Sequence, residues 1–148
     1  MKYISTEQFS EQPKEVQKVF LDWWRPHALD IFQYKDHRIR LVDNGSSNTT
    51  IITIEDSLTS YPKYDCIPLF TEGQLRRFIE DKMNCIMDID ANIDSGYSLY
   101  LYFLEFDEFS GESRFASKIK IYEDLGKDLF QAYWKVACEV AKDSLKIN

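Results

Sequence analysis

With 148 residues, 44% hydrophobic and 29% charged, and only 5 Gly and 4 Pro, the chain has the makings of one folded domain over 1–148 rather than a disordered or low-complexity segment. Its net charge of −7 comes from residues 80–112, where nine acids face Lys82 alone, while 16 acids and 17 bases elsewhere nearly cancel. Such a block repels a phosphate backbone, which argues against direct nucleic-acid binding. The lack of an apolar run of about 18 residues or of a secretory leader argues against membrane spanning and export, and so for the cytoplasm.

Taken in order, the first helical pattern opens at Ser10, a capping residue, with Pro13 tolerated in the first turn and Val16, Val19, Phe20 and Trp23 on one face. Pro26 disfavours helical geometry just before it, so the helix stops near Trp24 or Arg25. Trp23 and Trp24 cannot share a face: one should be core and the other half exposed or folded back over the following turn, and Trp24 reads as the exposed anchor. Short strands are expected at Ile31, Phe32 and Tyr34, over 38–42, and over 49–54, the last two joined by the turn-rich Asp43-Asn44-Gly45-Ser46-Ser47-Asn48. Residues 61–65 read as an irregular loop that leaves Tyr61 and Tyr64 at least partly exposed.

A second helix starts at the capping-box pattern Thr71-Glu72-Gly73-Gln74, buries Leu75, Phe78 and Ile79, and ends by Met83 or Asn84, with Arg76 and Arg77 on its solvated side. Strands return over 85–89 and 97–106. The second is apolar on both faces, with Tyr97, Leu99, Leu101 and Phe103 on one and Tyr100, Tyr102, Leu104 and Phe106 on the other, as a central strand would be. Phe115, Ser117, Ile119 and Ile121 alternate with Arg114, Ala116, Lys118 and Lys120, a half-buried strand. Over 125–145, Leu129, Tyr133, Ala137, Ala141 and Leu145 form one apolar row and Phe130, Trp134 and Cys138 another, opposite Gln131, Lys135, Glu139 and Asp143. The expected fold is α+β: an antiparallel sheet of about five strands with about three helices, the C-terminal amphipathic helix packed on the sheet.

The residues offer little chemistry. Cys66, Cys85 and Cys138 are too scattered for a zinc site and read as reduced structural thiols. His27 and His37 sit in no motif, and no nucleophile elbow, phosphate-binding glycine loop or HExxH pattern occurs. No catalytic residue and no cofactor is therefore expected. Asp88-Ile89-Asp90-Ala91-Asn92-Ile93-Asp94 spaces its carboxylates like the start of an EF-hand loop. Ile93 replaces the turn glycine and Leu99 the closing glutamate, and a frame starting at Asp90 fails in the same way at Ser95 and Leu101, so no metal is expected. The candidate binding residues are an acidic surface of Asp88, Asp90, Asp94, Glu105, Asp107, Glu108 and Glu112, and the aromatic anchors Tyr61, Tyr64 and Trp24.

Three stretches, Asp22-Trp23-Trp24-Arg25-Pro26, Ile67-Pro68-Leu69-Phe70-Thr71-Glu72-Gly73-Gln74-Leu75-Arg76 and Gln131-Ala132-Tyr133-Trp134-Lys135-Val136-Ala137, together resemble a group of small uncharacterised proteins of phages and prophages of Gram-positive bacteria. The resemblance implies a setting inside an infected bacterial cell and supplies no catalytic residue. The function expected there is non-enzymatic: an acidic protein that binds a basic protein surface, such as that of a host nuclease, and inhibits a nucleic-acid-processing or defence enzyme in the manner of an anti-CRISPR protein. The alternatives are an accessory or regulatory scaffold that self-associates, for instance as a homodimer, through the outer face of 97–106, and a small enzyme or metal-dependent binder using His27 or the run from Asp88 to Asp94.

Overall fold

Ser5 and Gln8 open the first helix, α1 (Thr6–Ser10). The Ser5 hydroxyl accepts from the Gln8 amide at 3.1 Å, and the Gln8 side chain accepts from the Ser5 amide at 3.0 Å, so each side chain satisfies a backbone amide that lacks a helical partner. The second helix, α2 (Lys14–Trp23), is capped by Pro13 and buries Val16, Gln17, Phe20 and Leu21. The periodicity predicts a single helix from Ser10. In the structure Ser10 instead ends α1, and α2 starts only at Lys14, because Pro13 adopts ψ 150° and has no N–H with which to continue a preceding helix. Gln17 Nε2 donates to the carbonyls of Gln12 at 2.8 Å and Ser10 at 3.3 Å, tying the junction together.

The computed structural model describes residues 2–106 and 108–146, with the side chains of 104–106 and 113–119 outside the description. These residues fall into two compact units, one of the residues up to Thr71 together with those from Leu145 on, and one from Glu72 to Ser144. In the first, β1 (Ile31–Gln33) pairs antiparallel with β2 (Ile39–Leu41) and later with β5 (Ile67–Pro68), in the order β2-β1-β5. Between these in sequence, β3 (Thr50–Ile52) pairs antiparallel with β4 (Ser60–Pro62). A 3-10 turn at Lys63–Asp65 occupies what the sequence presents as a loop. Phe70 is the hub of this unit's core: the rings of Phe20, Trp23 and Trp24 lie 5.7, 5.9 and 6.4 Å from it, and Phe9 continues the cluster at 6.3 Å from Phe20.

The second unit begins with α3 (Glu72–Met83), at the place the capping pattern sets, and α3 stops where Asn84 turns left-handed at φ 47°. Then come β6 (Cys85–Asn92), β7 (Gly96–Phe106), β8 (Ser113–Tyr122) and α4 (Leu129–Leu145). β7 is the central strand of an antiparallel β6-β7-β8 sheet, as its two apolar faces require, with a register shift between Tyr102 and Leu104. The expected alternation along 114–119 lies outside the described side chains. α4 buries three rows rather than two, because Ala132, Val136 and Val140 join those the periodicity picks out. Lys120 of β8 pairs with Asp143 of α4 at 2.9 Å.

The fold is thus α+β, with four α-helices among the described residues, and the expectation of one sheet of about five strands gives way to three small antiparallel sheets among them. The strands of the first unit are only two or three residues long, and a single bridge, Val42 to Thr53, links β2 to the β3-β4 hairpin where a continuous ladder would have been needed. One local expectation can be measured at once. Gly73 lies in the first turn of α3, and nothing stands within 4 Å of where a β-carbon would go. Gly73→Ala is expected to stabilise the protein by about 0.5 kcal/mol, as a higher urea midpoint at an unchanged slope.

Candidate functional site

Alternation along β6 sorts its side chains. Cys85 is buried and Met87 and Ile89 are partly covered, whereas Ile86, Asp88 and Asp90 are exposed. Because directly paired residues share a face of a sheet, the register carries this division across β7: Ile86 opposes Tyr102, Asp88 opposes Tyr100 and Asp90 opposes Ser98. Leu99 and Leu101, on the other face, are fully buried. Tyr100 in turn opposes Ile121 of β8. The outer face therefore presents Tyr100 and Tyr102, both partly exposed, between Ile86 at 42% and Ile121 at 46% exposure, with Asp88 and Asp90 on the same face.

The structure divides the acidic surface read from the sequence. Asp94 is exposed in the turn between β6 and β7, at the same end of the hairpin as Asp90, and its amide donates to Asn92 Oδ1 at 2.9 Å. Glu108 and Glu112 are exposed in the connection beyond the other end of β7, beside the fully exposed Phe109. An 11-residue strand spans roughly 35 Å, so these two acids do not join the first group. Asp107 and the Glu105 side chain lie outside the described residues. Asp88 and Asp90 belong to an extended strand rather than a loop that could wrap an ion, and among the described residues no group of three or more His, Cys, Asp or Glu side chains could hold one.

The three aromatic anchors all belong to the first unit, and they differ from one another. Trp24, expected to be exposed, is buried at 2% exposure and donates from Nε1 to Asp30 Oδ2 at 3.0 Å; Trp23 is the half-covered member of the pair. The reversal follows from α2 ending at Trp23: Trp24 is already extended, at ψ 120°, and turns its indole under the helix end toward Phe70. Tyr61 is partly buried and packs edge-on against Tyr34 at 4.9 Å and Phe32 at 5.8 Å, with the Arg40 guanidinium 5.0 Å from its ring. Tyr64 alone is exposed. Its hydroxyl donates to Asp22 Oδ1 at 2.6 Å, a bond that holds its pKa above the usual tyrosine value.

Beside Tyr64 is a group the sequence did not single out. Lys63 is only 3% exposed, and its Nζ donates to the Trp24 carbonyl at 3.0 Å and lies 5.0 Å from the Tyr64 ring. Burial lowers its pKa. The bond meets the carbonyl where α2 has just ended, so Lys63 serves as a cap donated from a distant loop. All three cysteines are buried and free, and burial pushes Cys66 and Cys138 up to about 12 and Cys85 up to about 11, which makes them poor nucleophiles at neutral pH. The His27 backbone amide donates to Asp30 Oδ2 at 2.9 Å, and His37, at φ 64°, sets Nδ1 3.1 Å from Gln33 Nε2.

Tyr100 and Tyr102 were visible in the sequence as one face of a strand apolar on both sides. That Ile86 and Asp88 join them depends on the register of β6 against β7, and a strand ending at Ile89 leaves out Asp90, whereas the pairing runs on to Asn92 opposite Gly96. A shallow concavity of about 250 Å³ beside this hairpin, lined by Ala91, Asn92, Ile93, Gly96, Tyr97 and Lys127, is smaller than pockets that usually hold organic ligands. No helix among the described residues is long and apolar enough to cross a membrane. No protein-family model, no curated protein sequence and no solved structure matches the chain.

Proposed function

We propose that the protein is an interaction protein rather than an enzyme, and that it binds a partner with a basic surface through the outer face of the β6-β7-β8 sheet. The observation that carries this is the composition of that face: two isoleucines, each more than two-fifths exposed, flank two tyrosines, with Asp88 and Asp90 on the same face. A single exposed isoleucine is ordinary, but aromatic and aliphatic groups gathered beside charges are what protein interfaces use for affinity and steering. In this reading α4 covers the opposite face, over Leu99 and Leu101, and leaves the outer one to the partner.

In the setting suggested by the family resemblance, the partner is a host nucleic-acid-processing or defence enzyme, and the acids of β6 take the place of phosphates in its basic channel. Tagged protein should then retain such an enzyme from a bacterial lysate at low salt and release it at high salt. The double reversal Asp88→Lys and Asp90→Lys should weaken retention at least about tenfold, ~1.4 kcal/mol. Unchanged retention by that variant would remove the electrostatic basis of the proposal. The exposure of Ile86 and Ile121 also favours a second reading, self-association through the same face. Light scattering separates the two: a size that rises with concentration and ignores salt supports the homodimer, and a constant monomer supports the heterologous partner.

A further inference from the structure

β6 is an edge strand, since β7 occupies one side of it and no other strand of the described chain pairs with it. The direction of its free backbone groups can be read from one bond: the Ile89 amide donates at 2.9 Å to the carboxylate of its neighbour Asp88 and so is turned away from β7. In an antiparallel ladder these groups alternate, so Met87 and Ala91 share the outward phase of Ile89, while Asp88 and Asp90 exchange their backbone bonds with Tyr100 and Ser98. The free edge thus offers the N–H and C=O groups of three alternate residues, with an aspartate side chain on either side of the middle one.

We propose that the partner engages this edge by adding an extended segment of alternating basic and apolar residues as a fourth strand beside β6. The proposal rests on the docking reading above and specifies its geometry. Apolar residues of the added strand would lie opposite Met87, Ile89 and Ala91 and exchange main-chain bonds with them. Its Lys or Arg residues would fall opposite Asp88 and Asp90, at the closely spaced positions of the ladder where side chains approach best. An incoming carbonyl takes over the Ile89 amide and frees the Asp88 carboxylate for a cation. A second copy of β6 is a poor occupant, because it would bring a further row of aspartates to the same face. Charged residues on an edge also deter indiscriminate pairing, so the same aspartates that would select a basic strand exclude others.

The test uses the full chain and a fluorescein-labelled heptapeptide, Arg-Val-Arg-Val-Arg-Val-Arg, followed by anisotropy at low salt. A second peptide carries N-methyl groups on its three valines, which removes the ladder-forming amides without changing charge. Binding of the first peptide and at least tenfold weaker binding of the second is the expected result. Ile89→Pro, which removes an outward amide at a position where an edge strand tolerates proline, should abolish the same binding. Should that variant fail to fold, the N-methyl comparison decides alone. Equal binding of the two peptides, or none by the first, overturns strand addition. If binding is equal yet lost in Asp88→Lys with Asp90→Lys, the acidic face survives as a docking surface without its edge. If that double variant binds both peptides as the native chain does, the acidic face fails as well.

Discussion

Gly96→Ala is expected to destabilise the protein by about 3–5 kcal/mol, a large part of the total for a domain of ordinary stability. Gly96 has φ 87°, and a β-carbon there would sit 2.2 Å from the Gly126 carbonyl oxygen and 2.4 Å from its carbon. The obstruction is backbone, so no rotamer relieves it. The close approach exists because the start of β7 is bound to the segment that leads into α4: the Tyr97 amide donates to the Gly126 carbonyl at 2.8 Å, and the Leu125 amide to the Tyr97 carbonyl at 3.0 Å. Making room for a methyl group pulls these two strands of chain apart and loses both bonds, each worth about 1 kcal/mol, on top of about 1 kcal/mol or more for the left-handed backbone. Gly111 provides the control. It too has a positive φ, 71°, but nothing stands within 4 Å of its β-carbon position, so Gly111→Ala should cost only about 1 kcal/mol. Urea unfolding of the two variants side by side separates close approach from backbone strain, and equal losses would show that the contact with Gly126 contributes nothing.

The same contrast between local and long-range constraint explains what the sequence disclosed. Where a segment specifies itself, it was legible: the Thr71 to Gln74 pattern starts α3, the alternation of 97–106 marks the central strand, and the rows of 125–145 mark α4. Ser5 to Gln8 carries the same kind of capping pattern as Thr71 to Gln74 and opens α1, so that helix could have been read and was missed only because five residues make too little periodicity to notice. Trp24 and Lys63 are different. Each is settled by a partner far along the chain, Phe70 for the indole and the Trp24 carbonyl for the ammonium, and no local pattern announces a buried lysine in a polar loop. The outer face is intermediate: its tyrosines, aspartates and Ile121 stand out in the sequence and Ile86 does not, and their assembly depends on the register of β6 against β7, which alternation within one strand does not fix. The division of the acids follows for the same reason, since a continuous acidic block in sequence is carried to both ends of a long strand.

Alkaline pH is expected to unfold the protein through its three thiols. In the native state burial raises Cys66 and Cys138 to about 12 and Cys85 to about 11, whereas in the unfolded chain all three ionise near pH 8.5–9. Between about pH 9 and 11 the unfolded state therefore holds fewer protons than the native one, so stability falls as pH rises; below about pH 8.5 the thiols are protonated in both states and exert no such effect. Each thiol contributes a slope of about 1.4 kcal/mol per pH unit in this window, and the three together roughly 4, enough to exhaust an ordinary stability within two or three units. Tyr133, raised by burial, adds to the loss at the upper end, and Lys120, raised by the neighbouring Tyr122 and by its bond to Asp143, acts in the same direction. Lys63 opposes them: burial lowers its pKa, so the native state gives up that proton before the unfolded state does and gains stability as pH approaches 10.5. One group against three thiols reduces the slope without reversing it. Urea midpoints measured from pH 7 to 10 should show the fall, and Cys138→Ala, whatever its effect at pH 7, should reduce its steepness by about 1.4 kcal/mol per unit. Parallel profiles for the variant and the native chain would mean that the Cys138 thiol ionises as readily inside the fold as outside it.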